Sequence, residues 1–501
     1  MAHGTSLPAG VSLVPPQRAW RARLRTLAVP SLADWLFAAL IVWLFVAGAG
    51  WETLLADGDT GLHIRAGELI LERGLPMTDP FSFTRPGEPW FAWEWLSEVI
   101  FAALHAWMGL KGVVLLAGVA ISAALALVFR QAIALGANLF PALMTTLLAA
   151  GAAGIHFLAR PHVFTLLLLP ASLWLARTRA AWTLVPLAAV WANLHGGFAA
   201  LLLSLAVMAA GSAIERNWKE ARRLGALAAA CAAATFANPY GYRLHVHMWS
   251  YLRSGWIREA VDEFQSPRFR SEASLQFEAL LFAALLVAAS LLRKRRFAGA
   301  LLLVVWAHAA LVSVRHVPVF AIVAAPLVAA EASVLWRGVR HGARSVAGVV
   351  RQMGEDLRRG AARTSMLPVL SVAALAFSGA PLRWPAGFPE VKFPVEMAER
   401  HAHRLAGARV FTSDQWGDYL LYRFYPRQRV FIDGRSDFYG PEAGRLYLET
   451  AYARTGWPET LDRYGISAVL APREWPLAAA LGRESGWRKL DEDRLAVLYV
   501  R

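Results

Sequence analysis

Long apolar runs separated by short polar connections occupy most of this chain. A helix that crosses a bilayer needs about 20 apolar residues, and about eleven runs approach that length. The runs lie near residues 33–52, 108–129, 138–156, 161–177, 181–195, 197–214, 222–238, 275–292, 297–313, 317–336 and 364–381. The pattern predicts a polytopic α-helical membrane region over residues 33–381. Residues 1–32 contain arginines and no small-residue cleavage site, so we expect an arm and not a cleavable signal peptide.

Two further stretches, 59–73 and 92–107, are amphipathic. In each, apolar residues recur at helical spacing on one face, and charged residues or histidine occupy another. Such helices lie along a membrane surface, so we expect neither to cross. They belong to a large first loop, residues 53–107, and a second large loop covers residues 239–274.

The pattern changes at residue 382, where short β-type runs begin to alternate with helical periods. The predicted strands are Val410–Thr412, Arg429–Ile432, Ala468–Leu470 and Leu495–Tyr499, and the predicted helices are 414–424, 441–453 and 457–464. Ser413 or Asp414 would cap the first of these helices. Residues 382–501 therefore read as a small α/β domain attached to a helical membrane protein.

Composition agrees with this fold class. Hydrophobic residues make up 57% of the chain and charged residues only 17%, whereas about a quarter of an ordinary soluble domain is charged. The single cysteine, Cys231, excludes an intrachain disulfide scaffold. The net charge of +15 does not indicate nucleic-acid binding. Residues 382–501 hold 18 Lys and Arg against 16 Asp and Glu, and the surplus lies in the connections between apolar runs.

These positive connections predict the orientation. Cytoplasmic loops carry more Lys and Arg than outer loops, and the arginine-rich connections follow that rule only if 92–107 does not cross. We therefore expect a multi-pass protein of the bacterial cytoplasmic membrane, with the arm 1–32 inside and the domain 382–501 outside.

The same topology brings several polar motifs to the outer face. They are Asp57-Gly-Asp59, Arg160-Pro-His162, Asn193-Leu-His195-Gly-Gly197, Asn238-Pro-Tyr240, Asp262-Glu263 and Arg315-His316. Polar groups at membrane depth are costly unless they are paired or hydrated. The set therefore predicts one outward-opening site, although each motif alone would also suit a helix cap, a turn or an interfacial anchor.

Two separate stretches resemble C-type glycosyltransferases, the integral-membrane enzymes that use lipid-phosphate-linked sugars. Asp57-Gly-Asp-Thr-Gly-Leu-His63, with Asp79-Pro-Phe-Ser82 further on, looks like the first outer loop of that superfamily. Trp416-Gly-Asp-Tyr419 is similar to the Trp-Trp-Asp-Tyr-Gly signature in the soluble domain of the oligosaccharyltransferase catalytic subunit. One Trp and the final Gly of that signature are missing. Oligosaccharyltransferases also carry a second acidic pair in a later loop, where this chain has His156-Phe-Leu-Ala-Arg-Pro-His162.

The resemblance implies roles for individual residues. Asp59 matches the catalytic acid of the first loop, with Asp57 as the alternative, and Arg315 lies where a basic residue contacts the donor phosphate. Arg160 and His316 are further phosphate candidates, because a guanidinium binds phosphate oxygens in a bidentate manner; an arginine at a span end also suits the interface. From the residues alone, Asp59 suits a general base as well as the N-cap of the helix that follows it.

A metal is the cofactor that these residues suggest. Glu263 matches an acidic residue that helps to bind metal and substrate in the family. Hard cations such as Mg²⁺ or Mn²⁺ take oxygen ligands, which Asp57, Asp59 and Glu263 would supply. The histidines that would suit a softer ion are His63, His162 and His195. The candidate ligands are therefore Asp59, Glu263 and His162, although no spacing matches a known metal motif.

The resemblance also implies an acceptor-binding role for part of the C-terminal domain. The candidate residues are Trp416, Asp418, Tyr419, Asp433 and Arg435. The same segments would also suit ordinary turns. We expect this domain to dock with these segments turned toward the first loop, and we expect Asp59, Glu263 and Arg315 to converge on one cavity.

The function that these observations favour is transfer of a sugar from a polyprenyl-phosphate-linked donor to an acceptor at the outer membrane surface, as part of cell-envelope or protein modification. The partners would be membrane lipid, the lipid-linked sugar and an acceptor that the sequence does not identify. Two other functions stay open: a transporter or flippase of a lipid-linked solute, and a non-catalytic membrane assembly protein.

Overall fold

The computed structural model describes residues 27–46, 50–339, 345–358, 360–361, 363–378 and 384–501. Most of the arm expected at 1–32 lies outside the described residues. The helices before the C-terminal domain are α1 (Leu32–Val46), α2 (Trp51–Leu54), α3 (Asp59–Arg73), α4 (Trp95–Met108), α5 (Leu110–Ala134), α6 (Leu139–Ala153), α7 (His162–Leu175), α8 (Leu184–Leu194), α9 (Phe198–Ile214), α10 (Trp218–Ala234), α11 (Tyr242–Arg253), α12 (Gly255–Ala260), α13 (Glu272–Arg293), α14 (Phe297–Val312), α15 (Val317–Gly338), α16 (Val346–Arg358) and α17 (Leu367–Phe377).

A helix of the structure coincides with each run that the sequence predicts to span. By length and composition, four helices in the described part of the chain can cross a membrane: Leu110–Ala134, Leu139–His156, Ala273–Arg293 and Val314–Gly338. The other runs give shorter helices; the runs at 33–52 and 364–381, for example, shrink to α1 and α17. The number of crossings stays a prediction.

Both amphipathic stretches of the first loop are helices, as predicted. They are α3 and α4, and the two pack closely because Gly67 of α3 lies against the backbone of α4. A Cβ atom at Gly67 would come within 1.9 Å of the Glu98 carbonyl oxygen. Only glycine therefore permits this approach.

The C-terminal domain contains α18 (Val395–Arg400), α19 (Ala402–Leu405), α20 (Asp414–Phe424), α21 (Ser436–Ala451), α22 (Trp457–Arg463) and α23 (Pro476–Leu481) around four strands. The strands are β1 (Val410–Phe411), β2 (Ala468–Pro472), β3 (Arg488–Glu492) and β4 (Ala496–Val500). They form one sheet in the order β1-β2-β4-β3, with β1 and β2 parallel and the other pairs antiparallel.

The sequence predicts this domain in outline, with two errors. The strand expected at 429–432 is reduced to isolated bridges from Val430 to Val410 and to Ser82 of the first loop. The edge strand β3 was not predicted, because its charged residues lack the apolar alternation of a half-buried strand. The cap of α20 is confirmed: Ser413 Oγ accepts a hydrogen bond from the Trp416 N–H at 3.2 Å.

The domain docks on the first loop through α20 and α3, as expected. Gly58 lies against the backbone carbonyl of Gln415, and the Gln415 side chain accepts a hydrogen bond from the Gly58 N–H at 2.7 Å. Gly61 lies against Tyr422 in the same way. These glycines bring α20 close enough to place its side chains beside the start of α3.

Candidate active site

One arginine gathers three carboxylates at the end of the helical bundle that carries the first loop. Arg160 Nη1 lies 2.8 Å from Asp57 Oδ2 and 2.6 Å from Glu263 Oε1. Arg160 Nη2 lies 2.6 Å from Asp59 Oδ2. These are the short contacts of charge-assisted hydrogen bonds. We call Asp57, Asp59, Arg160 and Glu263 the Arg160 cluster.

Three loops and a helix start bring the cluster together. Asp59 is the first residue of α3, and Asp57 Oδ1 accepts a hydrogen bond from its backbone N–H at 3.0 Å. Arg160 lies in the turn before α7. Glu263 lies in a short 3-10 turn, Asp262–Phe264, whose Glu263 carbonyl accepts a hydrogen bond from Ser313 Oγ at 2.9 Å.

The helix-cap alternative for Asp59 is wrong. The residue at the N-cap of α3 is Gly58, which has no side chain, and the Asp57 carboxylate accepts the hydrogen bond from the Asp59 N–H. The Asp59 carboxylate instead points to Arg160 through Oδ2. Its other oxygen, Oδ1, is buried, and among the described residues no N–H or alcohol group donates to it; its polar neighbour is the Asp418 carboxyl.

Burial and Arg160 act in opposite directions on the two flanking carboxyls. Burial raises the pKa of Asp57 to about 6, although Arg160 opposes it. For Glu263 the positive charge of Arg160 is the stronger influence, and it holds the pKa of that carboxyl well below its usual range. The cluster is therefore anionic at Glu263 at any pH near neutrality.

The C-terminal domain supplies a fourth carboxyl next to the cluster. A Cβ atom at Gly434 would stand 2.0 Å from Asp59 Oδ1 and 2.9 Å from Asp418 Oδ2, so these two oxygens lie close together against the same glycine. Asp418 is fully buried, and its Oδ1 accepts a hydrogen bond from the Gly434 N–H at 3.1 Å. Burial and the nearby Asp59 raise the pKa of Asp418 well above the ordinary value.

One cavity borders the cluster at both Arg160 and Glu263, and another lies at Gly434, beside Asp59. The larger, of about 400 Å³, has Arg160 and Glu263 in its wall, together with Arg315 and His316. Its size falls within the roughly 300–1,000 Å³ of typical ligand pockets. The remaining lining includes His63, Trp93, Glu94, His156, His162, His195, Met248, Tyr251 and Trp306. The smaller, of about 220 Å³, is lined by Gly434 with Trp256, Asp414, Tyr439 and Tyr447.

Arg315 is a basic residue in the wall of the larger cavity that has no carboxylate partner among the described residues. Its guanidinium lies 4.5 Å from the centre of the Phe264 ring, and Nη1 is buried without a hydrogen-bond partner in the part of the chain that the structure describes. No described carboxylate lies within ion-pairing distance of it. His316 lies beside it, with its ring centre 6.2 Å from that of Trp306.

A further group on the cavity wall was not predicted as part of the site. Glu94 Oε2 lies 3.7 Å from His63 Nε2, and Glu94 Oε1 lies 3.5 Å from His195 Nε2. Burial raises the pKa of Glu94 to about 7. The sequence placed Glu94 only on the polar face of an amphipathic helix. The signal available was the presence of Glu94 and Glu98 on one face of a helix otherwise rich in apolar residues.

The remaining polar motifs tie helices together. Asn193 Oδ1 accepts a hydrogen bond from Trp95 Nε1 at 2.8 Å, and Tyr240 donates to the Ala92 carbonyl at 3.3 Å. The anchor alternative therefore describes Asn193 and Tyr240, whereas His195 of the first motif lines the larger cavity. The others meet at the cluster or the larger cavity.

Most of the proposed acceptor residues have internal partners. Trp416 and Tyr419 are only 4% and 2% exposed, and Trp416 Nε1 donates to the Lys392 carbonyl at 2.9 Å. Arg435 Nη2 pairs with Asp433 Oδ2 at 2.6 Å and with Asp79 Oδ1 of the first loop at 2.7 Å. These contacts favour packing and domain attachment, and an acceptor role for these four residues stays a prediction. Asp418 is the member of the set that lies beside the cluster.

The described residues do not fit the divalent cation that the sequence suggested. Arg160 already occupies the centre of the expected oxygen set, Asp57, Asp59 and Glu263. His162 Nε2 is hydrogen-bonded to the His156 carbonyl at 2.7 Å. Within the described part of the chain, no group of three or more His, Cys, Asp or Glu side chains is placed to hold a metal ion.

Sequence comparison finds no relative: no family model matches the chain, and no curated protein matches it. Solved structures do match. The oligosaccharyltransferase of Archaeoglobus fulgidus in its apo form aligns with a TM-score of 0.54 at 12% identity, over 91% of this chain and 70% of that chain. The same protein in complex with Zn and sulfate aligns with a TM-score of 0.53 at 10% identity, over 88% and 68%.

ArnT from Cupriavidus metallidurans bound to undecaprenyl phosphate aligns at 13% identity over 93% of this chain and 97% of that chain, but its TM-score of 0.43 is too low to support a conclusion. The identities are low throughout, so the likeness concerns the fold. The chain therefore has the fold of the Archaeoglobus fulgidus oligosaccharyltransferase.

Proposed function

We propose that this chain is a membrane glycosyltransferase that moves a sugar from a polyprenyl-phosphate-linked donor to an acceptor at the outer face of the cytoplasmic membrane. The observation that carries the proposal is the state of Asp59. Arg160 pairs with its Oδ2 atom, and its Oδ1 atom is buried beside Gly434 and the Asp418 carboxyl, where no described N–H or alcohol group donates to it.

The larger cavity suits the donor. Arg315, whose guanidinium has no carboxylate partner among the described residues, would bind the phosphate, because arginine binds phosphate oxygens in a fork geometry. Trp93 and Trp306 offer apolar surface to the sugar or the first lipid units. The smaller cavity is lined by Gly434, whose backbone lies against Asp59 Oδ1, and it would admit the acceptor.

The chemistry then follows from these positions. An acceptor O–H or N–H group gives its proton to Asp59 Oδ1 while its heavy atom bonds to the anomeric carbon. The bond from that carbon to the phosphate oxygen breaks, and polyprenyl phosphate leaves with the bonding electron pair. Arg315 stabilises the negative charge that develops on the leaving phosphate.

The convergence of ionisable residues from distant segments weighs against a role as a non-catalytic assembly protein. Such a protein has no need to bring ionisable groups from distant segments together, since each costs free energy at membrane depth. Here Asp57, Asp59, Arg160 and Glu263 meet within hydrogen-bond distance, and Arg315 lines the same cavity as Glu263.

The test is transfer from a panel of polyprenyl-phosphate sugars to membrane or protein acceptors by the purified chain in lipid. We expect Asp59→Asn, which keeps the size of the side chain, to lower transfer by roughly a hundredfold or more. Arg473→Gln is the control, because Arg473 pairs with Glu492 on the far surface of the C-terminal domain and is 52% exposed. Near-full transfer by Asp59→Asn would show that Asp59 is not the base.

A further inference from the structure

The Arg160 cluster offsets part of its negative charge with a basic side chain. Three carboxylates that converge within a few ångströms repel one another, and a protein must neutralise them with a metal ion, protons or a basic residue. Here a single guanidinium contacts all three at 2.6–2.8 Å.

We propose that Arg160 takes the place of a divalent cation, so that this site binds its three carboxylates and works without a bound metal. The role in transfer rests on the proposed function. The pairing of Arg160 with the three carboxylates does not rest on that function, because the contacts alone show it.

The geometry indicates that Arg160 replaces a metal ion at this site and does not bind beside one. A hard cation such as Mg²⁺ needs oxygen ligands at about 2.1 Å in an octahedral shell. Asp57 Oδ2 and Glu263 Oε1 already accept hydrogen bonds from Arg160 Nη1, and Asp59 Oδ2 forms an ion pair with Nη2 at 2.6 Å. A second cation placed between them would meet the positive charge of Arg160 on one side and that of Arg315 across the same cavity.

A guanidinium also does something that a spherical ion does not. Its planar fork aims separate N–H groups at chosen oxygens. Arg160 Nη2 takes Asp59 Oδ2, and Nη1 is shared by Asp57 and Glu263. Asp59 Oδ1 is left unpaired among the described groups. Arginine stays protonated in proteins, so this arrangement does not depend on the supply of metal.

The replacement of a metal ion by Arg160 has a consequence that can be measured without a sugar donor or a sugar acceptor. If Arg160 holds the place of a cation, its removal should leave carboxylates that attract one. We therefore expect Arg160→Gln to gain Mn²⁺ binding of about one ion per chain, since Mn²⁺ accepts carboxylate ligands.

The experiment is a titration of the purified full chain with Mn²⁺, followed by electron paramagnetic resonance of the free ion in neutral detergent. Wild type and Asp59→Asn should bind equally little. Arg160→Gln should bind, the double variant Arg160→Gln/Asp59→Asn should not, and the surface control Arg473→Gln should behave as wild type.

Two outcomes would overturn the proposal. One is a wild-type chain that binds Mn²⁺ and loses it in Asp59→Asn, because the cluster would then be a metal site. The other is a folded Arg160→Gln that binds none. If Arg160→Gln does not fold, the wild-type melting temperature decides: a ligand of the folded state raises it, so we expect no change on adding Mn²⁺ or chelator, and a rise that Asp59→Asn abolishes would refute the proposal. None of these readouts depends on transferase activity.

Discussion

Two buried arginines join the first loop to other parts of the molecule, and they differ in what surrounds them. Arg435 pairs with Asp433 and Asp79 and lies within 6 Å of the ring centres of Phe81, Trp90, Phe438 and Tyr439. Its side chain is 8% exposed. Arg160 has a similar set of carboxylates, but its side chain is 20% exposed and forms part of a cavity wall.

The comparison distinguishes an arginine that attaches the C-terminal domain, Arg435, from one that lies at the candidate active site, Arg160. The Asp433 carboxylate also accepts a hydrogen bond from the Tyr439 hydroxyl at 2.7 Å, so both its oxygens are occupied. The Arg160 cluster instead retains a buried oxygen on Asp59 with no described partner. An unpaired buried oxygen is costly unless a substrate uses it. Arg435 Nη1 is also buried without a described hydrogen-bond partner, but aromatic rings surround it, whereas Arg160 and Glu263 lie in the wall of the larger cavity. The Arg435 pair therefore holds the domain in place, and the Arg160 cluster is the candidate for function.

The largest effect is expected at Arg435. Arg435→Leu leaves Asp79 and Asp433 buried without their cation, and breaking a buried pair in this way costs about 3–5 kcal/mol. Thermal unfolding should show the loss, and limited proteolysis should release the C-terminal domain more readily. Arg473→Gln in the same domain serves as control. An unchanged melting temperature for Arg435→Leu would contradict the attachment role.

The next effect is expected at Arg160, and on transfer more than on stability. Arg160→Gln removes the group that orients Asp59, and loss of one such positioned donor typically lowers a rate by a hundredfold to a thousandfold, or about 2.7–4 kcal/mol. Stability should fall less than in Arg435→Leu, because the Arg160 carboxylates can take up water from the cavity. Transfer assays and melting curves on the same preparations test this. Equal losses of stability in the two variants, with transfer preserved at Arg160, would remove the distinction.

A smaller effect is expected at Asp418, and it depends on pH. Its folded-state pKa is raised by burial and by Asp59. The folded state therefore binds this proton more tightly than the unfolded state, and wild-type stability falls as pH rises from the ordinary carboxyl pKa through the raised value. Asp418→Asn cannot ionise and keeps an acceptor for the Gly434 N–H. Its melting temperature should exceed that of wild type by an amount that grows with pH over this window. A gap that stays constant or shrinks would show that Asp418 is ionised in the folded protein.

The smallest effect is expected at the surface. Arg473 lies 3.0 Å from Glu492, with both side chains largely in solvent. Exposed pairs contribute about 0–1 kcal/mol, so Arg473→Gln should alter the free energy of unfolding by no more than about 0.5 kcal/mol. Urea titration measures it. A loss as large as that of the buried pairs would mean that exposure does not distinguish these arginines.

Periodicity was sufficient for the helices and for much of the C-terminal domain. Apolar runs and capping residues such as Ser413 can be recognised from the local sequence alone. The strand expected at 429–432 failed because its pairing partner, Ser82, lies in a distant loop. The charged edge strand β3 leaves no apolar pattern at all.

The sequence predicted several residues of the candidate site, but it did not predict which side chains pair with each other. The topology indicated that Asp59, Arg160 and Glu263 share one end of the bundle, but not that one guanidinium would contact all three. Asp433 and Arg435 resembled acceptor residues, yet Asp79 and the surrounding rings bury them. Which partner a charge finds depends on tertiary packing, and a single sequence does not record it.

The most direct measurement for the central proposal is a cryo-electron microscopy structure of the chain with polyprenyl phosphate. We expect the phosphate in the cavity of about 400 Å³, within about 3 Å of the Arg315 guanidinium, with its lipid leading into the bilayer and no metal ion between it and Asp59. A second basic cleft of about 460 Å³, lined by Arg177, Arg179 and Arg223, lies away from this site. Phosphate density in that cleft, with the cavity at Arg315 empty, would contradict the assignment of the donor site.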